Sequence, residues 1–173
     1  LFIAFIALYS CNTVSDAPLF ELKDNNQIGI EFSNDLAYSD EFNVYKYRNF
    51  YNGGGVAIGD INNDGLMDIY FTSNQKDNKL FLNEGDFYFK DITATAGVGG
   101  SKAWSTGVSM VDINADGLID IYVCNSGDVV GDNKQNELFI NQGDGSFKEQ
   151  AQLFNLADQG FSTHATFFDF DKD

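Results

Sequence analysis

Asp60-Ile61-Asn62-Asn63-Asp64-Gly65-Leu66-Met67-Asp68 returns 52 residues later as Asp112-Ile113-Asn114-Ala115-Asp116-Gly117-Leu118-Ile119-Asp120. Oxygen-bearing side chains stand at positions 1, 3, 5 and 9 of each copy, with glycine at position 6, where the chain must turn sharply. A loop of this kind offers a hard cation the six to eight oxygens, at about 2.3–2.6 Å, that calcium prefers. The candidate ligands are Asp60, Asn62, Asp64 and Asp68 in the first copy and Asp112, Asn114, Asp116 and Asp120 in the second. Leu66 and Leu118, at position 7, would contribute backbone carbonyls, which leaves their side chains free to be apolar. A third copy starts at Asp169-Phe170-Asp171-Lys172-Asp173, adding Asp169, Asp171 and Asp173 to the candidates. Two whole copies and an aligned third are hard to reconcile with chance acidic turns.

The flanks exclude the commonest loop of this type. An EF-hand closes on a bidentate glutamate at position 12 and is bracketed by helices. Position 12 here is Phe71 or Val123, so the ligand set must close at position 9. Before the loops stand Gly55–Gly59 and Gly107–Val111; after them stand Ile69–Thr72 and Ile121–Cys124. These short runs are rich in β-branched and aromatic residues and bounded by turn formers, so each unit reads as strand, loop, strand.

The repeat continues beyond the loop. Asn78-Lys79-Leu80-Phe81-Leu82-Asn83 matches Asn136-Glu137-Leu138-Phe139-Ile140-Asn141, and Phe89-Lys90-Asp91 matches Phe147-Lys148-Glu149. The next interval, Asp112 to Asp169, is 57 residues, and the extra length fits a loop insertion around Ser126–Asn133. Four strand signals in roughly fifty residues describe one blade of a β-propeller. The chain is therefore expected to be all-β. It holds repeats over about 53–104, 105–161 and the start of another at 162–173, within a repeat region from residue 49 to 173.

These residues are similar to the FG-GAP/VCBS repeat family, whose blades carry such loops in the integrin α-subunit propeller. A narrower resemblance is to bacterial cartilage-acidic-protein-like surface lipoproteins, which join a propeller to an ASPIC/UnbV domain. It is carried by Tyr51–Asp60, Asn78–Asn83, Asp91-Ile92-Thr93 with Ala96-Gly97-Val98, and Ser162–Asp169. The resemblance implies a seven-bladed ring when complete. The sequence in hand would then be an N-terminal portion of about two blades and the beginning of a third.

The N-terminal residues carry their own expectations. Leu1–Leu8 is an apolar stretch too short to span a bilayer but suited to the core of a signal peptide. It leads into Leu8-Tyr9-Ser10-Cys11, which resembles a lipobox, so residues 1–11 are read as a lipoprotein signal ending at a lipidated Cys11. Residues 12–48 would be a tether and a leading strand, with Ile28-Gly29-Ile30-Glu31-Phe32 as that strand. The implied location is an exported, membrane-anchored lipoprotein at the outer membrane or cell surface of a bacterium.

Composition narrows the partners. The formal charge is −16, and nine of the 26 acidic residues lie in the three loop copies. Phosphate recognition rests on clustered lysine and arginine, and none is visible, so nucleic acid is not an expected partner. Calcium is the expected cofactor; a protein or glycan is the expected ligand; the membrane is reached through the lipid. No catalytic pair, nucleophile constellation or phosphate-cradling glycine loop is present, which favours a non-enzymatic binding or adhesion scaffold. The alternatives are an accessory part of a polymer-uptake or degradation system, or an enzyme whose active site lies in further C-terminal sequence.

The remaining candidates have plain readings. Cys124 aligns with Thr72 and is expected to be a strand residue, and His164, the one histidine, to be structural or channel-lining. Trp104 and Tyr51 are expected to pack rather than form a sugar-stacking platform. The pairs Asn78/Asn83 and Asn136/Asn141 are expected to cap turns with their amides.

Overall fold

The computed structural model describes residues 18–127 and 133–171. The expected leader (1–11), Cys11, the start of the tether, the middle of the insertion and Asp173 lie outside these residues.

Eight strands form two four-stranded antiparallel sheets, each meandering in sequence order. The first contains β1 (Val56–Gly59), β2 (Asp68–Phe71), β3 (Lys79–Asn83) and β4 (Phe89–Asp91). The second contains β5 (Ser105–Val111), β6 (Asp120–Asn125), β7 (Glu137–Asn141) and β8 (Phe147–Glu149). The register is the same in both: Gly59 faces Asp68 and Val111 faces Asp120, so each acidic loop closes a β-hairpin. Each sheet has the form of a propeller blade. The strands fall where the sequence places them, shifted by one or two residues at their ends.

Alternation sorts the side chains into faces. Tyr70 and Leu80 of the first blade pack against Val108, Ile121, Val123 and Phe139 of the second, with Ile61, Val98 and Phe147 closing the same core. Full burial of each such side chain contributes about 1.5–3 kcal/mol, so this inter-blade layer is the main source of cohesion between the sheets. The other face of the second blade, Tyr122, Cys124, Leu138 and Ile140, is covered by Ala165 and Phe167 from the start of the next repeat. On the first blade, the face equivalent to the one that the second blade turns toward it leaves Val56 and Ile58 56% and 62% exposed.

Close approach of the inner strands depends on glycine. A Cβ on Gly55 would lie 2.6 Å from the Thr106 carbonyl oxygen, and one on Gly107 would lie 2.5 Å from that of Thr163. Neither separation is compatible with a side chain, so the repeat brings its inner strands together through bare backbone.

Two features depart from expectation. Ile28–Phe32 is not a strand: Asn25–Ile28 is one helical turn (α1), capped by the Asp24 carboxylate, which accepts from Asn26 N at 2.8 Å. Gly29, at φ +75°, ends it. The local cap and the left-handed glycine override the strand-like alternation, and Phe32 stacks on Phe71 of the first blade at 4.8 Å between ring centroids. Among the described residues no strand precedes Val56. The second departure is a helical turn at Thr93–Ala96 (α2), ended by Gly97 at φ +75°, between β4 and β5.

Candidate metal loops and the inner-strand mouth

Each acidic loop folds around its own carboxylates. In the first, the Asp60 carboxylate accepts from Asp64 N at 3.1 Å and Gly65 N at 2.8 Å. The Asn62 side-chain oxygen accepts from the same Asp64 N at 3.2 Å, and Asp64 accepts from Leu66 N at 2.8 Å. The second loop repeats this: Asp112 accepts from Asp116 N and Gly117 N, Asn114 from Asp116 N, and Asp116 from Leu118 N, at 2.8–3.1 Å. Left-handed backbone at position 4 (Asn63 and Ala115, both φ 58°) and at position 6 (Gly65, φ 87°, and Gly117, φ 86°) curls the chain so that positions 1 and 3 converge on the amide of position 5.

Position 9 is anchored differently. Asp68 and Asp120 have no exposed surface. The two Asp68 oxygens accept from Ile61 N at 2.9 Å and Asn83 N at 2.8 Å. Those of Asp120 accept from Ile113 N at 3.0 Å and Asn141 N at 2.8 Å. Burial pushes both carboxyls above the usual carboxylate range; the two amides oppose this, and the charges at positions 5 and 1 of the same loop add to it.

The donor set suits a hard cation: three carboxylates, one amide oxygen and a carbonyl in each complete loop, with no sulfur or imidazole. The tip residues converge, and Asp68 or Asp120 closes the hairpin beneath them. Among the described residues, however, no three His, Cys, Asp or Glu side chains are drawn together as a metal centre. The tip carboxylates turn to backbone amides, and Asp68 and Asp120 to amides of their own. The residues fit calcium by chemistry and order. Asp169 and Asp171 of the third copy are exposed, and Asp173 lies outside the described residues.

The model of the FG-GAP-like repeat family matches residues 60–123, which run from the first loop through the second. This is an FG-GAP repeat chain. Cartilage acidic protein 1 of Xenopus tropicalis is 34% identical over 120 residues, covering 68% of this chain and 18% of that protein. The human and mouse proteins of the same name are 34% and 33% identical over the same length. The chain thus spans less than a fifth of the length of these curated relatives.

The other sequence candidates of the FG-GAP blades find their places. Asn83 and Asn141 accept from Gly85 N and Gly143 N at 3.0 Å, capping the β3–β4 and β7–β8 turns as expected. They also reach back: Asn83 Nδ2 donates to the Met67 carbonyl, and Asn141 Nδ2 to those of Ile119 and, across the blades, Ile61. Asn78 and Asn136 accept from Ser73 N and Asn125 N at 2.8 Å, closing the β2–β3 and β6–β7 connections. Cys124 is a buried strand residue whose thiol burial pushes up to about 11. Trp104 is buried, at φ 61°, among Phe42, Tyr47 and Phe50, whereas Tyr51 is exposed, so the two form no shared platform.

Three features of the FG-GAP blades escaped the sequence reading. One is that aromatic cluster, whose members lie up to 62 residues apart, from Phe42 to Trp104, without periodicity. Another is Asn63 Nδ2, which donates to the Gly117 carbonyl at 3.0 Å and so joins the first acidic loop to the second. The third is Glu137, buried and accepting from Ser101 N, Ser101 Oγ and Asn125 Nδ2. Its mismatch with Lys79 at the equivalent repeat position was the available signal.

Proposed function

We propose that this chain is part of a calcium-binding, lipid-anchored surface β-propeller that serves as a non-enzymatic binding scaffold. The observation that carries the reading is the repetition of one 1-3-5-9 oxygen pattern in two loops with the same backbone and the same hydrogen bonds. Calcium in each loop would be held by Asp60, Asn62, Asp64, the Leu66 carbonyl and Asp68, or by Asp112, Asn114, Asp116, the Leu118 carbonyl and Asp120. The ion supplies positive charge that relieves carboxylate repulsion and stiffens the hairpin.

A structural rather than catalytic role is supported by the surroundings of the loops, which are strand residues without a proton-transfer group. Cys124, with its raised thiol, is a poor nucleophile. The Ser126 and Thr106 hydroxyls donate to the Ser162 carbonyl, at 2.7 and 2.8 Å, rather than to His164. The lipid anchor rests on the Leu8–Cys11 sequence, and the surface location follows from it. Partners in this reading are a protein or glycan ligand and the membrane.

Calorimetric titration of the full-length protein tests the metal sites. Binding at about 10⁻⁴–10⁻³ M is expected for extracellular modules, with one site lost in Asp64→Ala and one in Asp116→Ala. Unchanged stoichiometry in both variants would remove the assignment. In the same preparations Cys11→Ala should leave the membrane fraction or remain unprocessed; a mature N-terminus beyond Cys11 without acyl mass would remove the anchor.

A further inference from the structure

At the end of the sheets away from the acidic loops, the starts of two successive inner strands and the equivalent segment of the third repeat meet around a cavity of about 410 Å³. Its walls are Gly53–Gly55 of the first repeat, Thr106 and Gly107 of the second, Thr163 and His164 of the third, with Asn49, Asn52 and Ser126 beside them. Counting back from each loop, Gly55, Gly107 and His164 occupy the same repeat position. Two repeats therefore keep that position bare, and the third fills it with an imidazole against the Gly107 backbone.

The chemistry of the wall is selective. It contains amides, hydroxyls, bare backbone and one histidine, but no Asp, Glu, Lys or Arg. The absence of carboxylates disfavours a divalent cation. The absence of lysine and arginine, in a chain of formal charge −16, disfavours phosphate or carboxylate ligands. Ser126 and Thr106 have spent their hydroxyl hydrogens on carbonyls, so towards the cavity they can only accept. The Asn52 side chain has no hydrogen-bond partner among the described residues and offers both functions.

We propose that this mouth of the inner strands is a binding site for a neutral, hydroxyl-rich ligand, a carbohydrate without acidic groups. Asn52 and His164 are its principal polar contacts. Sugar hydroxyls both donate and accept, which matches a wall mixing spent hydroxyls with free amide groups. The glycines let a pyranose edge approach the backbone, and the volume lies within the range of small-molecule sites. The proposal deepens the binding-scaffold reading above and rests on it.

The test uses full-length, calcium-saturated protein and ligand-observed NMR with methyl β-galactoside, methyl β-glucoside, methyl α-mannoside and N-acetylglucosamine, with glucuronate as the acidic comparison. At least one neutral sugar should bind, and glucuronate should bind more weakly. His164→Gly, which restores the residue of the other repeats, and Asn52→Ala should each weaken binding about three- to tenfold, the loss expected for one hydrogen bond. Melting temperature and calcium stoichiometry should be retained in both. No binding of any neutral sugar to folded, calcium-loaded protein overturns the proposal while leaving the scaffold reading standing. Preference for glucuronate, or equal affinity in wild type and both variants, also overturns it. Loss of calcium dependence would instead count against the scaffold reading.

Discussion

Asp68 and Asp120 do two jobs that a ligand pattern alone does not distinguish. Each is the last oxygen of its acidic loop and also the acceptor for two backbone amides that hold the hairpin to the third strand. In the presence of chelator, Asp68→Ala should therefore cost about 2–4 kcal/mol, because the amides of Ile61 and Asn83 lose their acceptor. Asp64→Ala, at the exposed tip, should cost less than about 1 kcal/mol under the same conditions. With excess calcium both variants should lose the metal-linked stabilisation, and denaturant unfolding in the two buffers separates the roles. Equal losses in chelator would contradict this division. The same measurement carries a pH sign. Burial raises both carboxyls in the folded state, so their contribution is fully present below the unfolded pKa and is lost as pH rises through the folded one. Metal-free protein should gain stability from them on mild acidification, whereas the calcium-loaded protein should lose it as protons displace metal. The 1-3-5-9 order of oxygen-bearing side chains was legible in the sequence because a loop keeps them local. The second job of position 9 was not, because its partners at Asn83 and Asn141 arrive from a strand 15 and 21 residues further on.

Glycine has two distinct meanings among the elements. Gly107 has no unusual torsion but no room, since the Thr163 carbonyl oxygen and the His164 Cα stand 2.5 and 2.8 Å from where its Cβ would be. Gly117 has open space around it but a φ of 86°. Gly107→Val should therefore force β5 and the Thr163–His164 segment apart, at about 1–3 kcal/mol or more. Gly117→Asn should be nearly neutral, because asparagine tolerates the left-handed region. Thermal melts of the two variants should differ by several degrees in that order; the reverse order would refute the steric account. The strands themselves were legible from β-branched runs bounded by turn formers. The one segment misread, Ile28–Phe32, alternates like a strand, but the Asp24 cap and the left-handed Gly29 set its backbone, and both act within a few residues.

At the scale of the molecule, the two blades are unequal in their surroundings. Val108 and Met110 of the second pack against the first, while their counterparts Val56 and Ile58 face outward. A closed ring would seat another blade on that face. Ile58→Asp should then destabilise the full-length protein by about 2 kcal/mol or more, as burying an unpaired charge does, despite the exposure of Ile58 in this chain. A change within about 0.5 kcal/mol would mean that the face stays open. The repeat and the blade were legible because local hydrogen bonding and alternation recur with the period. The aromatic cluster of Phe42, Tyr47, Phe50 and Trp104 was not, since it is assembled only by the meeting of distant segments. The two acidic loops are also not separate objects. Asn63 reaches from the first to the Gly117 carbonyl of the second, and Asn141 donates to Ile61 beside Asp60. If each loop takes calcium, an ion in one would fix atoms that its neighbour needs in place, and the second ion would meet a smaller ordering cost. The rim of the ring would then fill as linked steps, and its stiffness would rise over a narrower range of calcium concentration than independent sites allow.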